Sequence, residues 1–150
     1  MSDSINLVLV GLGLIGKRHA DIIEKIEDAK LLAIVDPSEE AHNYAVEKGL
    51  PIYGSLEDMF LEQSPDGIIL ATPTPMHSKQ GLICINKKCP VMIEKPIANS
   101  SQEACGLVEK AENLGVPVLI GHHRRYNPII KKAKNIICLL YTSDAADETG

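Results

Sequence analysis

Residues 5–16, Ile5-Asn6-Leu7-Val8-Leu9-Val10-Gly11-Leu12-Gly13-Leu14-Ile15-Gly16, decide the fold. A short apolar run ends in glycine, and Leu14 to Ile26 then places Ile15, Ile22, Ile23 and Ile26 near helical spacing, which reads as strand, turn and helix. Glycines at such a turn each have a job. Gly11 makes the tight turn, Gly13 lets backbone approach a pyrophosphate with no Cβ in the way, and Gly16 lets the new helix pack closely on the sheet. Leu14 and Ile15 open that helix, whose unpaired N–H groups and dipole favour bound phosphate. A glycine triplet alone also occurs in turns that bind nothing. Here a second apolar run, Lys30 to Val35, ends in Asp36, twenty residues past the third glycine. A carboxylate there accepts hydrogen bonds from the adenosine 2'-OH and repels a 2'-phosphate, so NAD is expected over NADP.

The same alternation continues outward. Ser38-Glu39-Glu40 supplies an N-cap and acidic first turn for a helix to about Lys48, stopped by Gly49. Ile52-Tyr53 is a brief strand, and Ser55 with Asp58 is a capping box. Gly67 to Ala71 is a strand, Pro75 to Asn86 a helix and Val91 to Glu94 a strand. Ser100 with Glu103 caps a helix ending near Leu114-Gly115, and Val118 to Ile120 is the last strand. Asn127-Pro128 pairs an N-cap with proline at the first helical position, starting a helix through Ile129, Ile130, Ala133, Ile136 and Ile137. Regular β/α alternation predicts an α/β fold, a doubly wound parallel sheet of Rossmann type.

Composition supports a folded domain. The 150 residues are 45% hydrophobic and 23% charged, with aromatics at 3%, so the core is expected to be aliphatic. Net charge is −5 and the basic residues are scattered, which argues against a nucleic-acid partner. Cys84, Cys89, Cys105 and Cys138 include no Cys-x-x-Cys pair, and Cys84 and Cys105 sit in helical patterns as small buried apolar residues would; no metal is called for. No basic stretch leads into an apolar one at the N-terminus and no run is long enough to span a bilayer, so a cytoplasmic protein with no membrane partner is expected.

Two later strand ends are unusual: Ala71-Thr72-Pro73-Thr74-Pro75-Met76-His77, and Glu94-Lys95-Pro96 directly after Val91-Met92-Ile93. By pattern alone His77 also reads as a helix-start polar group and Lys95 as a solvated charge. Taken with the glycine turn extended by His19-Ala20, and with Gly121-His122-His123-Arg124-Arg125-Tyr126-Asn127-Pro128, they resemble the glucose-fructose oxidoreductase / inositol dehydrogenase (Gfo/Idh/MocA) family over residues 5 to about 137. The resemblance implies an NAD-dependent dehydrogenase acting on a sugar, polyol or related hydroxyl compound, working as a homo-oligomer. It implies that Gly11, Gly13, Gly16 and Asp36 hold the adenosine diphosphate part and that Thr72, Pro73 and His77 line the route to the nicotinamide. Glu94 and Lys95 then lie near the nicotinamide, with Lys95 positioned to polarise the substrate hydroxyl and assist proton transfer. Arg125 and its neighbours read equally as a basic loop or as a cofactor or substrate contact.

Family members continue into an α/β substrate domain, so the expected organisation is an NAD-binding domain at 1–126, the start of a linking helix at 127–137, and a tail at 138–150. Cys138-Leu139-Leu140-Tyr141-Thr142-Ser143-Asp144-Ala145-Ala146-Asp147-Glu148 reads as the in-frame translation of a sequencing-library adapter; a genuine helix end with an acidic tail is the other reading. On this view the chain as it stands binds cofactor but does not turn over substrate. The competing function is a non-catalytic NAD-binding module or redox sensor. Glu94-Lys95-Pro96 favours the enzyme, since a sensor has no need of a lysine at the nicotinamide end. A methyltransferase is disfavoured by the third glycine.

Overall fold

The computed structural model describes residues 4–147. Six strands among them form one parallel sheet: β1 (Ile5–Val10), β2 (Ala29–Val35), β3 (Ile52–Tyr53), β4 (Gly67–Leu70), β5 (Val91–Ile93) and β6 (Val118–Ile120), in the order β3-β2-β1-β4-β5-β6. Helices α1 (Leu14–Ile23), α2 (Glu39–Lys48), α3 (Leu56–Glu62), α4 (Thr74–Asn86) and α5 (Ser101–Leu114) join them, and a 3-10 turn (His123–Tyr126) leads into α6 (Pro128–Asp147).

The caps anticipated in the sequence set the helix ends. Ser38 Oγ accepts from Ala41 N, Ser55 Oγ from Asp58 N and Ser100 Oγ from Glu103 N, each satisfying an otherwise orphaned donor. Gly49 and Gly115 close α2 and α5 at φ +64°, a left-handed conformation that costs glycine little. Asn127 Oδ1 accepts from Ile129 N and starts α6.

Side chains alternate across the strands, giving each face its own aliphatic layer. Val8, Val10, Ile68, Leu70, Val91 and Ile93 pack with Met59, Ile85 and Leu107 under α3, α4 and α5. Leu9, Ile34 and Ile69 pack with Ala20, Ile23, Ala41 and Ala45 under α1 and α2. The connections leaving β1 and β4, adjacent in the sheet, therefore go to opposite faces. Their carboxyl ends part there, leaving a crevice that no side chain is needed to open.

Several expectations change. Cys105 is exposed whereas Cys84 and Cys89 are buried. Helix α5 buries Leu107 and Ala111, and Cys105 stands about 200° round the helix from Leu107. Along α1 the buried stripe is Gly16, Ala20 and Ile23, while Ile15 and Ile22 are exposed; the helix ends at Ile23, so Ile26, expected within it, lies beyond its end and is exposed. The helix lies so close to the sheet that small residues occupy the contact. Helix α6 does not stop at Ile137 but continues to Asp147, through residues with no breaker among them. Its Ile129, Ile130, Ile136 and Ile137 are exposed, as is Leu119 of the edge strand β6. Among the described residues no helix is long and apolar enough to cross a membrane.

Candidate functional site

A crevice of about 930 Å³ opens at the β1/β4 divergence, walled by the glycine turn, the end of β2 and the start of α4. The turn after β1 is built by contact with its neighbours. Gly11 has φ +88°, and a Cβ on it would lie 2.9 Å from the Ala71 carbonyl and from Thr72 Cγ2. A Cβ on Gly16 would lie 2.0 Å from the Gly11 carbonyl oxygen, so helix and turn touch backbone to backbone. Gly13 is different: nothing stands within 4 Å of where its Cβ would be. As the N-cap of α1 it offers no side-chain cap, and the first turn carries no acidic residue. Open space over Gly13, in front of uncapped N–H groups, is the cradle a pyrophosphate fits, and a side chain would fill it.

Asp36 ends β2 on the crevice wall. Its Oδ2 accepts from Leu12 N at 2.7 Å and its Oδ1 from Ser38 N at 2.8 Å. Partial burial acts to raise its pKa, but the Leu12 and Ser38 donors outweigh that and hold it below the ordinary carboxylate value. The group is thus ionised at neutral pH, and each oxygen keeps capacity for a second hydrogen bond from a ribose hydroxyl.

The structure brings Gly11, Gly13, Leu14, Ile15, Asp36, Thr72 and Pro73 to this one crevice, with Gly16 behind the turn. It does not bring His77 there. His77 is 1% exposed, with Nε2 2.7 Å from the Thr72 carbonyl and Nδ1 2.8 Å from the Pro96 carbonyl. Both ring nitrogens thereby face backbone carbonyls, to one of which a neutral imidazole donates, and the side chain packs between the β4–α4 loop and the loop after β5. Thr72 Oγ1 donates to Gln80 Oε1 at 2.6 Å.

Glu94 and Lys95 stand one strand further along, at the end of β5. Glu94 is nearly buried, its Oε1 2.9 Å from His19 Nε2 of α1 and its Oε2 accepting from Lys95 N at 3.2 Å. Gly121, at the end of β6, makes room for it: a Cβ there would be 2.9 Å from Glu94 Oε1. The Lys95 side chain is exposed, and the Lys95-Pro96 peptide bond is cis. Arg125 lies on the 3-10 turn beyond β6, exposed and away from the crevice wall.

Reading the sequence did not anticipate the far wall, Gly54 to Glu57 and Pro75, Met76, Lys79, Gln80 and Ile83, nor Glu40. Gly54 and the Ser55 cap were the available signals, because helix starts at strand carboxyl ends face ligands in such sheets. The His19–Glu94 pair spans 75 residues and carried no local signal at all.

Residues 5–122 match the family model described as an oxidoreductase family with an NAD-binding Rossmann fold, GFO_IDH_MocA. A 4-carboxy-2-hydroxymuconate-6-semialdehyde dehydrogenase of Sphingobium sp. is 31% identical over 83% of this chain and 40% of its own length. An inositol 2-dehydrogenase of Mycolicibacterium smegmatis is 28% identical over 91% of this chain and 41% of its own. The WlbA dehydrogenase of Bordetella pertussis, solved in complex with NADH and UDP-GlcNAcA, superimposes with a TM-score of 0.86 at 28% identity, over 91% of this chain and 40% of that one. The chain spans about two fifths of the length of the curated relatives it matches.

Proposed function

Since the chain belongs to the Gfo/Idh/MocA oxidoreductase family and carries its NAD-binding Rossmann fold, we propose that the whole protein is an NAD-dependent dehydrogenase that moves hydride between nicotinamide and a hydroxyl-bearing carbon of a sugar or polyol. The observation that carries this reading is the crevice itself. It joins an open cradle over Gly13 to an ionised Asp36, with Lys95 exposed at the neighbouring strand end. The bound nicotinamide supplies the hydride chemistry.

The residues do the rest. The N–H groups after Gly13 would hold the phosphates and Asp36 the adenosine ribose, while Thr72 and Pro73 form the wall leading toward the reacting end. At that end Glu94 holds the Lys95 main chain through its N–H, and the Lys95 ammonium is free to polarise a hydroxyl and take part in moving its proton. His77 contributes by fixing the two loops, not by touching the cofactor. Arg125, exposed on the turn beyond β6 and away from the adenosine half of the crevice, is in this reading a contact for substrate or for the second domain. In this reading residues 1–126 are the cofactor domain, 127–137 begin a linking helix, and 138–150 are a tail outside the functional unit. The protein works in the cytoplasm as a homo-oligomer.

The experiment has two steps. Titration of the 150-residue chain with NADH is expected to show saturable binding, and failure to bind would overturn the cofactor assignment. The complete protein, supplied with NAD and a panel of polyols and sugars, is expected to form NADH, read by its absorbance. Binding without NADH formation on any of them would leave a binding module and sink the dehydrogenase reading.

A further inference from the structure

The charges around the adenosine end exceed what one ribose contact requires. Of the residues lining the crevice, Asp36, Glu40 and Glu57 carry carboxylates and Lys79 alone carries an ammonium. Glu40, in the first turn of α2, reaches back to α1, where the Lys17 ammonium donates to its Oε1 at 2.6 Å. The two side chains are 78% and 38% exposed, so the pair adds little to folding stability. A second pair, Lys48 with Glu24 at 2.8 Å, already ties the end of α2 to the C-cap of α1, outside the crevice wall. The position of Lys17–Glu40 therefore matters more than its strength.

We propose that the Lys17–Glu40 pair is a second determinant of nucleotide choice, beside Asp36; the inference rests on the crevice holding a dinucleotide. A 2'-phosphate would bring about two negative charges to the ribose. Glu40 adds to the repulsion it meets, and in the same stroke engages Lys17, a cation of α1 that could otherwise receive it. NADH lacks that phosphate and carries only the pyrophosphate charge common to both nucleotides, so it feels both effects less. Discrimination against the phosphorylated cofactor is thus divided between a residue that contacts the ribose and a residue that withholds a cation.

The test measures NADH and NADPH dissociation constants for the 150-residue chain by nucleotide fluorescence, at low and at high salt. Glu40→Gln is expected to raise NADPH affinity relative to NADH by roughly five-fold or more at low salt, with NADH itself changed less than about two-fold, and the gain should shrink as salt screens it. Adding Lys17→Met should remove part of that gain. Glu24→Gln, which breaks the other pair at the C-cap of α1, should leave the ratio where it was. If Glu40→Gln binds NADH normally and its NADPH-to-NADH ratio stays at the wild-type value, the inference is wrong while the cofactor assignment stands. A double variant that keeps the whole gain overturns the role given to Lys17. A wild-type chain that binds neither nucleotide overturns both readings.

Discussion

Two glycines three residues apart should respond to the same mutation in opposite ways. At Gly16 an added methyl would stand 2.0 Å from the Gly11 carbonyl oxygen and 3.0 Å from its carbon, at least about 1 Å inside any tolerable contact. Neither party is a flexible side chain end. Helix α1 would have to lift off the turn, disturbing Ala20 and Ile23, both buried. Overpacking against backbone belongs at or above the top of the usual range, so Gly16→Ala should cost about 3 kcal/mol or more. For a domain of this size that lowers Tm by roughly 10 °C. At Gly13 the methyl meets nothing within 4 Å, and φ −68°, ψ −169° suits alanine. The N-cap preference for glycine over alanine costs only about 0.5 kcal/mol, yet the methyl occupies the space assigned to the pyrophosphate. Gly13→Ala should therefore melt within about 2 °C of wild type and bind NADH at least ten-fold more weakly, a loss of about 1.4 kcal/mol. Circular dichroism melts and NADH titrations on the two variants decide it. A Gly16→Ala chain as stable as wild type would refute the backbone clash, and undiminished NADH binding by Gly13→Ala would refute the placement of the phosphates.

Asp36→Asn should erode the preference for NADH over NADPH in competition titrations, since it removes the charge that repels a 2'-phosphate. The same variant has a signature in acid. The folded carboxyl lies below its ordinary 3.8, so its stabilisation is present above that value and lost as pH falls toward the folded pKa; Tm should fall more steeply from about pH 5 downward in wild type than in Asp36→Asn. In the complete protein Lys95→Ala should cut turnover by at least ~100-fold with NADH affinity nearly unchanged, measured by steady-state rates against binding titrations; wild-type turnover would remove Lys95 from the chemistry. Burial pushes the Cys84 thiol up to about 12 and that of Cys89 to about 11. A thiol reagent should accordingly label Cys105 in the folded chain and reach Cys84 and Cys89 only on denaturation, as mass spectrometry of the labelled peptides would show.

Local chemistry explains why so much of the architecture was legible beforehand. Ser38, Ser55, Ser100, Gly49 and Gly115 mark helix ends by interactions within a few residues, and the glycine turn states its purpose in six. What escaped depends on packing between distant segments. Ile22 fits a helical period but lies outward, because a helix drawn in close by Gly16 and Ala20 presents a narrow face to the sheet, and Ile26 falls past the end of that helix. Cys105 shares that periodic ambiguity on α5. His77 sits in a motif rich in chemistry and turns out to be buried between two carbonyls, which no spacing rule distinguishes from a ligand contact. Gly121 reveals its reason only once Glu94 is seen above it.

The His77 bridge carries a warning for how variants of this protein should be interpreted. Because one imidazole spans the Thr72 and Pro96 carbonyls, the loop that borders the cofactor crevice and the loop that bears Lys95 are held as a single piece. Replacing His77 would loosen both at once, and affinity and turnover would decline together from a residue that meets neither ligand. Such a phenotype looks like that of a chemical participant. Only the tandem loss, set beside the selective loss expected for Lys95, tells a brace from a reagent.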